Sequence, residues 1–324
     1  MVKVSLEFED QRIKDSHVVT NLTDVIQFTL LGYQGGIQLR ALLFCLISVV
    51  FCVTICGNLL IITLVATSKN LQTPMYSFIS HLSVSDIIMP ANIVPNMLYI
   101  LLNNGGTISY IGCMTQFFIF CVSESFECLL LTVMSYDRYV AICNPLRYSS
   151  IMTSAQCVRL AFSSWFLSLF TAFIDTLSAS RLKFCGPKII DHLFCDLVPL
   201  QDIACSDTFH IKLQLYLLSI PFVGLPIMII VISYVNIVRA VLQIPSNLSR
   251  QKAFSTCSSH LTVVFIFYST LFSVYILPKS AQTSDTNKIT SLLYTVFSPL
   301  INPFIYSFRN KDIKKAVQEI FPKN

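Results

Sequence analysis

Seven apolar runs, each long enough to cross a lipid bilayer, constrain this chain more than any other feature. A helix needs roughly 20 mostly apolar residues to span the hydrocarbon layer. Backbone polar groups in lipid must bond within their own segment, so each run is predicted to be a helix. A membrane β-barrel would instead need alternating pieces of about ten residues, and the sequence has none. The runs lie near residues 38–67, 75–101, 114–143, 157–180, 210–242, 254–278 and 288–308.

The composition agrees with a membrane protein. Charged residues make up only 12% of the 324 residues, whereas soluble domains average about 25%. We therefore predict an all-α membrane protein, a seven-transmembrane helix bundle. Residues 1–37 are expected to form an N-terminal segment, 38–308 the membrane domain and 309–324 the tail. The N-terminal segment lacks the apolar core of a cleaved signal peptide, so the first span is expected to insert as an uncleaved anchor.

Charge and one sequon predict the orientation. With the N-terminus outside, the inner loops and tail carry twelve of the 22 lysines and arginines. This excess is small, but it lies in short loops and in the tail, where the positive-inside rule has force. The sequon at Asn21 predicts glycosylation of an exterior N-terminus. A second sequon, at Asn247, would then be cytoplasmic and unmodified.

Four of the twelve cysteines fall on the predicted outer side: Cys113, Cys185, Cys195 and Cys205. An even number in an oxidising compartment predicts two disulfides, with three possible pairings that the sequence leaves open. A zinc site is the alternative, but no Cys-x-x-Cys pair occurs. The other eight cysteines lie in predicted helices or at their inner ends, where most are expected to serve as small apolar side chains.

Carboxyl groups inside the spans are candidates for function, because a charge is costly in lipid. Asp86 lies in the second span, and Glu124 and Glu127 share one face of the third. Each could simply be protonated or hydrogen-bonded. For Asp86 and Glu127 we favour a polar core that holds a cation or waters between helices. Asp137 and Arg138, at the inner membrane boundary, are predicted to pair as a latch that opens in a second state.

Other classes of protein fit the residues less well. A channel or transporter would have inverted repeats, paired broken helices or a ring of charges, and the sequence has no internal repeat. An enzyme would need a catalytic constellation. The five histidines form no His-x-x-x-His pair, and no Gly-x-Ser-x-Gly motif or Walker loop occurs among nine glycines. We expect no enzyme, no obligatory cofactor and no nucleic-acid partner.

Several motifs in chain order resemble those of rhodopsin-like G-protein-coupled receptors. They are Gly57-Asn58, Asp86, Asp137-Arg138-Tyr139 and Asn302-Pro303-x-x-Tyr306. Narrower stretches resemble odorant (olfactory) receptors of the tetrapod-type class. These are Leu71-Gln-Thr-Pro-Met-Tyr76, Met134 to Cys143, Lys252 to Leu261, and the long loop with His192-Leu-Phe-Cys-Asp196. Mild departures are Gln72, Ser135 and Ser269, where the family usually has His, Ala and Gly.

The resemblance implies an odorant receptor in the plasma membrane, with the N-terminus extracellular and the C-terminus cytoplasmic. Such a receptor binds small, mostly apolar molecules in the outer half of the bundle. It activates a heterotrimeric G protein of the stimulatory, olfactory type and raises cyclic AMP. The alternative is a non-olfactory rhodopsin-like receptor for another small ligand. Membrane lipid is the remaining expected partner.

The expected ligand pocket combines helical spacing with this resemblance. The predicted ligand-binding residues are Phe117, Phe120, Cys121, Glu124, Ser125, Leu218, Phe222, Tyr268, Leu271, Phe272, Tyr275, Ser291 and Thr295. Taken singly, such residues are more often ordinary interhelical packing. Glu124 is the unusual member, because no Lys or Arg lies in the outer half of a neighbouring predicted helix. It either stays protonated and donates to Ser125, Tyr268 or a ligand oxygen, or pairs with a ligand ammonium.

The resemblance also assigns the switch, the disulfides and the cation. The disulfides would be Cys113–Cys195 and Cys185–Cys205, and Asp86 with Glu127 would hold a sodium ion. On activation Arg138 would turn from Asp137 toward Tyr234, Tyr306 and the G protein. The switch residues are Asp137, Arg138, Tyr139, Tyr234, Asn302, Pro303 and Tyr306. In the tail, the apolar spacing of Ile313, Ala316, Val317, Ile320 and Phe321 predicts a short amphipathic helix on the membrane surface, with Lys311, Lys314 and Lys315 toward the headgroups.

Overall fold

The structure, a computed structural model, describes residues 27–275, 284–309 and 311–320. Six helices in this part of the chain are long and apolar enough to cross a membrane, and Asn247–Tyr275 contains a shorter apolar stretch, Cys257–Ser273. The predicted seven-helix bundle is thus confirmed. The six long spans are Ile37–Thr67, Pro74–Asn103, Tyr110–Cys143, Ser154–Ala179, Phe209–Leu242 and Thr286–Tyr306. The third helix begins at residue 110, ahead of the predicted 114. The sixth begins at residue 247, ahead of the predicted 254, because its polar first turns lower the local hydropathy.

The third span lies at the centre of the bundle. It is the most buried of the six long spans and packs against the second, fourth and fifth. The fifth is the least buried, and the fourth leaves Phe162, Phe166 and Phe170 exposed along one side. Such apolar outer faces suit contact with lipid tails, which are as apolar as the side chains themselves. The central position brings Glu124 and Glu127 into the middle of the bundle.

A small sheet at one end of the bundle was not predicted. Strand β1 (Gln27–Leu30) pairs antiparallel with β2 (Gly106–Ser109) and parallel with β3 (Ile189–Ile190). Its side chains alternate, with Phe28 and Leu30 fully buried and Gln27 and Thr29 exposed. Two to four residues give too weak a pattern for prediction, since the pairing depends on segments far apart in sequence. We call this end of the bundle the upper end.

The long loop, residues 180–208, covers much of the upper end. Disulfides join Cys113 to Cys195 and Cys185 to Cys205, with Cα atoms 5.4 and 5.8 Å apart. These are the pairs that the resemblance implied. The loop contains the short helix Leu197–Asp202, and the Asp196 carboxylate just before it accepts a 2.7 Å hydrogen bond from the Leu197 backbone amide.

Two spans contain a π-helical turn beside a proline. One turn, Ile220–Gly224, includes Pro221, and the other, Leu293–Phe297, ends two residues before Pro299. Proline has no N–H for the carbonyl four residues earlier, so the helical ladder must shift there. π-helical turns are frequent at functional sites. In the seventh span the turn brings Tyr294 and Thr295 into the core.

The lower end carries the connecting turns and the tail helix. Lys311–Ile320 forms a separate helix after the seventh span. Ile313 and Ala316 are buried, whereas Lys314 and Lys315 are exposed, as the predicted amphipathic helix requires. The helix packs on the first span and on the turn that follows it. Phe321 and the predicted glycosylation site Asn21 lie outside the described residues.

Candidate functional site

Phe120 is at the centre of the predicted pocket. It is buried, makes an edge-to-face contact with Tyr294 of the seventh span (ring centroids 5.6 Å apart), and packs on Phe194 of the long loop at 5.4 Å. Phe117 and Cys121 are also buried, whereas Glu124 and Ser125 are half-buried. The upper half of the third span therefore faces both the loop and the seventh span.

The partner of Glu124 was not predicted. The polar group beside the Glu124 carboxyl is the Tyr294 phenol, rather than Ser125 or Tyr268. Three further carboxyl groups, Asp196, Glu127 and Asp175, lie near enough to act on Glu124 electrostatically. The π-helical turn sets the direction of Tyr294, and a regular helical projection of the sequence does not anticipate it.

The remaining predicted pocket residues differ in burial. Leu271, Ser291 and Thr295 are buried, and Leu218, Phe222 and Tyr268 are half-buried. The hydroxyl of Thr295 donates to the Ser291 carbonyl at 2.7 Å, so it is already engaged. Phe272 is 51% exposed, because the buried face of the sixth span is centred on Phe267. The side chain of Tyr275 lies outside the described part of the structure.

The upper end of the seventh span bonds to the long loop. The Lys288 ammonium lies 2.5 Å from an Asp191 carboxylate oxygen, and His192 Nε2 lies 3.2 Å from the Ser291 hydroxyl. His192 Nδ1 lies 3.2 Å from the Phe194 carbonyl. Burial lowers the pKa of His192 to about 4, and Lys288 adds to this lowering. His192 is therefore neutral at physiological pH. The expectation that no Lys or Arg lies in the outer half of a span neighbouring Glu124 was wrong, because Lys288 is buried in the upper part of the seventh span.

A polar core lies below the pocket. The Asn302 side-chain amide donates to both oxygens of Asp86, at 3.2 and 3.1 Å, and to Glu127 at 3.4 Å. All three residues are buried. Two carboxyl groups thus converge on one neutral donor, an arrangement that a proton or a small cation with oxygen ligands would stabilise. Among the described residues, no group of three or more His, Cys, Asp or Glu side chains could hold a metal ion.

The latch at the lower end is closed in this structure. Arg138 donates through Nε and Nη2 to one oxygen of Asp137, with a Nε–Oδ2 distance of 2.9 Å. The other oxygen accepts from the Tyr148 hydroxyl at 2.8 Å, a contact that the sequence did not reveal. Asp137 is fully buried. Burial raises the pKa of Tyr148, and the adjacent Asp137 carboxylate acts in the same direction.

The other switch residues lie around the latch. The Tyr234 hydroxyl is bonded to His260 Nδ1 at 2.6 Å, with the two rings stacked. Tyr306 is buried, and Tyr139 is half-buried. The pyrrolidine ring of Pro303 packs against Gly57. A Cβ atom added to this glycine would lie 3.5 Å from that ring. His260 is a member of this cluster that the sequence reading missed, although it lies in one of the recognised motifs.

Comparisons with known proteins agree with this arrangement. A family model described as "Olfactory receptor" matches residues 44–324. The chain is 43% identical to Olfactory receptor 11L1 of Homo sapiens over 93% of each chain. It is 41% identical to Olfactory receptor-like protein I9 of Rattus norvegicus, over 94% of this chain and 96% of that one. The structure also matches a crystal structure of squid rhodopsin with a TM-score of 0.72 and 19% identity, over 90% of this chain and 87% of that one.

The family match covers the whole membrane domain apart from the first residues of the first span. The rhodopsin comparison supports the seven-helix fold independently of close sequence similarity. Six long apolar helices with a shorter seventh agree with a multi-pass protein of the plasma membrane. The chain belongs to the olfactory receptor family of rhodopsin-like G-protein-coupled receptors, which are signalling receptors rather than enzymes.

Proposed function

We propose that this receptor binds small, mostly apolar odorants in the upper half of the bundle and activates a stimulatory, olfactory-type G protein. Family membership already makes it a receptor for a small molecule that couples to a G protein. The observation that carries the finer proposal is the cluster around Phe120, where the third span, the long loop and the seventh span meet. An apolar surround with a few polar groups is typical of small-molecule sites.

The proposed contact residues are those on the buried or half-buried faces of the upper half. They are Phe117, Phe120, Cys121, Glu124, Ser125, Leu218, Phe222, Tyr268, Leu271 and Ser291, with Tyr294 added. Aromatic and aliphatic groups would provide most of the contact area, and Glu124 with Tyr294 the polar recognition. Thr295 is a weaker candidate, because its hydroxyl is bonded to the backbone. Phe272 is also weaker, because its side chain is exposed.

Arg138 is proposed to carry the signal to the G protein. In its closed state it pairs with Asp137, and Tyr234 pairs with His260. In the active state Arg138 would leave Asp137 and contact Tyr234, Tyr306 and the G protein. Two pairings of similar energy make a switch, which a hydrophobic substitute would not provide. An odorant that binds the open state more tightly shifts the population toward it.

The upper end is proposed to face the exterior, with the N-terminus and Asn21 outside. Two disulfides at that end suit an oxidising compartment. The exposed lysines of the tail helix, Lys314 and Lys315, would then face cytoplasmic lipid headgroups. The lower end, with the latch, would meet the G protein.

A sodium ion is proposed as a ligand of the polar core. Asp86 and Glu127 would hold it with their carboxylate oxygens, and the Asn302 side chain adjoins both groups. Two buried carboxylates close together would not both ionise without a positive partner. The bound ion would supply that positive charge and favour the closed bundle.

Screening a chemically varied odorant panel tests the proposal. The receptor is expressed in cells with and without the olfactory-type G-protein α subunit, and cyclic AMP is recorded. We expect a dose-dependent rise for at least one odorant that requires the α subunit. A receptor that reaches the surface and raises cyclic AMP only for a non-odorant ligand would favour the alternative, a rhodopsin-like receptor for another small molecule.

A further inference from the structure

The burial of the proposed pocket residues differs from one side of the bundle to the other. On the seventh span Ser291, Tyr294 and Thr295 are all buried, and so is Phe194 of the loop above them. On the other side the proposed contact residues are half-buried: Ser125 of the third span, Leu218 and Phe222 of the fifth, and Tyr268 of the sixth. The more accessible side of the pocket therefore faces the fifth and sixth spans rather than the loop or the seventh span.

The fifth span changes its packing at the π-helical turn Ile220–Gly224. Below this turn, Leu225–Leu242 buries side chains at regular intervals and packs along the third span and against the sixth. Within and above the turn, no side chain of residues 209–224 is buried. In the described part of the chain, the main helix partner of the segment Phe209–Ser219 outside its own span is the fourth span. This upper segment therefore has little packing against the third or the sixth span.

Polar bonds hold the upper segment to the fourth span. The Ser178 hydroxyl donates to Gln214 Oε1 at 2.6 Å, and Gln214 Nε2 donates to Asp175 at 3.4 Å. At 3.6 residues per turn, Gln214 and Ser219 lie on opposite flanks of Leu218. Because the Gln214 flank faces the fourth span, the Ser219 flank faces the sixth.

The sixth span turns Tyr268 and Phe272 toward the same place. They are four residues apart and share a face, and Tyr268 is half-buried while Phe272 is exposed. Cys257 lies eleven residues before Tyr268 and therefore on the same side of the helix. Its carbonyl accepts a 3.4 Å hydrogen bond from Tyr234 of the fifth span, so this side faces the fifth span. We call the space between Leu218 and Ser219 on one helix and Tyr268 and Phe272 on the other the seam.

The seam lies inside the membrane. Ser219 is about 15 Å below the first residue of its helix at the helical rise, and Phe272 belongs to the apolar stretch Cys257–Ser273. An opening at this depth leads to lipid tails rather than to water. Small apolar molecules concentrate in that layer, because the hydrophobic effect drives them out of water.

We propose that apolar ligands reach the pocket from the bilayer, by passing through the seam between the fifth and sixth spans. The proposal rests on the proposed function in taking the ligand to be apolar and its site to lie beside Phe120. The different packing of the two halves of the fifth span carries it. The lower half closes the bundle, whereas the upper half is bonded to the fourth span and leaves its sixth-span flank unburied.

The native thiol of Cys121 reports arrival in the pocket, because it is buried one turn above Ser125 on the same face. Two methanethiosulfonates with the same reactive group separate the routes. The butyl reagent dissolves in the bilayer, and the trimethylammonium-ethyl reagent stays in water. Each is applied to membranes that contain the receptor, without odorant or G protein, and modification is followed by peptide mass spectrometry. Cys121→Ser identifies the signal, and Cys52, exposed in the middle of the first span, reports the reagent in the bilayer.

The butyl reagent should modify Cys121 in the parent, and the cationic reagent should not. Ser219→Trp should lower the ratio of Cys121 to Cys52 modification about tenfold, an added barrier of about 1.4 kcal/mol, because the indole fills the seam. Leu213→Trp is the matched control and should keep the parental ratio, since Leu213 is exposed on the opposite side of the same segment. Phe272→Ala should raise the ratio by widening the seam.

Equal ratios in Ser219→Trp and Leu213→Trp would overturn the proposal. So would a parent in which the cationic reagent modifies Cys121 as fast as the butyl reagent does, or in which the butyl reagent modifies Cys52 alone. Misfolding would expose Cys121 and raise its modification, so it cannot imitate the fall expected for Ser219→Trp. The assay uses neither odorant nor G protein. A receptor that fails the odorant screen can therefore still support the seam, and one that passes the screen can refute it.

Discussion

Glu124 is the acidic residue among the proposed pocket residues. Asp175 and Asp196 lie near it, and Lys288, the buried lysine at the upper end of the seventh span, is already paired with Asp191. We therefore predict that the receptor favours basic or hydrogen-bond-accepting odorants over carboxylic acids, which Glu124 would repel. Glu124→Gln should lower the potency of amines about tenfold, the effect of one charged hydrogen bond. The potency of ketones should change little.

The measurement compares concentration–response curves of parent and Glu124→Gln for matched amines, ketones and acids. Tyr294→Phe is the companion variant, because it removes the phenol hydroxyl beside Glu124 and keeps the aromatic ring. Unchanged potency for every amine in Glu124→Gln would eliminate the ion-pair version and leave a neutral, packed carboxyl group.

His192 predicts how the stability of the fold depends on pH. Burial lowers its pKa from 6.5 to about 4, while the facing groups Lys288 and Asp191 act in opposite directions. Below pH 6.5 His192 binds a proton in the unfolded chain but not in the folded chain. The free energy of unfolding therefore falls as pH falls. Between pH 7 and 5 this loss amounts to about 2 kcal/mol. The melting temperature of the purified receptor should fall over this range.

The control for this prediction is His192→Gln, whose amide can replace the imidazole contacts and does not titrate. The melting temperature of this variant should fall less between pH 7 and 5 than that of the parent. Identical pH profiles of the two proteins would contradict the assignment to His192.

At the scale of helices, Asn302 links the second, third and seventh spans through Asp86 and Glu127. If sodium occupies this core and favours the closed bundle, it must oppose activation, because coupling between two ligands is reciprocal. Replacing sodium by choline at constant ionic strength should raise odorant potency about fivefold. In Asp86→Asn the same replacement should have little effect.

Surface expression of Asp86→Asn is checked separately. Equal sodium dependence in parent and Asp86→Asn receptors would contradict the sodium proposal, as would a parental receptor that does not respond to sodium at all. Glu127→Gln tests the second carboxyl group in the same way.

The spans and the switch motifs were predictable, because seven long apolar runs and a few charged motifs are strong local signals. The contacts between distant segments were not. Lys288 meets Asp191 across 97 residues, and Tyr234 meets His260 across 26, so only the packed bundle brings them together. Tyr294 was missed for a different reason. A π-helical turn shifts the helical register at that point. A projection with 3.6 residues per turn therefore places Ser291 and Thr295 on the pocket face and misses Tyr294.

The whole molecule is proposed to connect two ends of one bundle. An odorant binds in the upper half of the bundle, below the long loop, and Arg138 acts at the latch near the opposite end. If so, Arg138→Ala should reach the surface and bind odorant, yet give no cyclic AMP response. Arg159→Ala is the matched control, because Arg159 is an exposed arginine at the lower end of the fourth span.

Odorant affinity, measured in membranes with and without the G protein, tests this connection most directly. Thermodynamic linkage requires that a G protein which responds to the odorant also raises the affinity for it. We predict that the G protein increases the odorant affinity of the parent. It should leave the odorant affinity of Arg138→Ala unchanged, at the value that the parent has without G protein. An affinity shift in Arg138→Ala as large as in the parent would contradict the account.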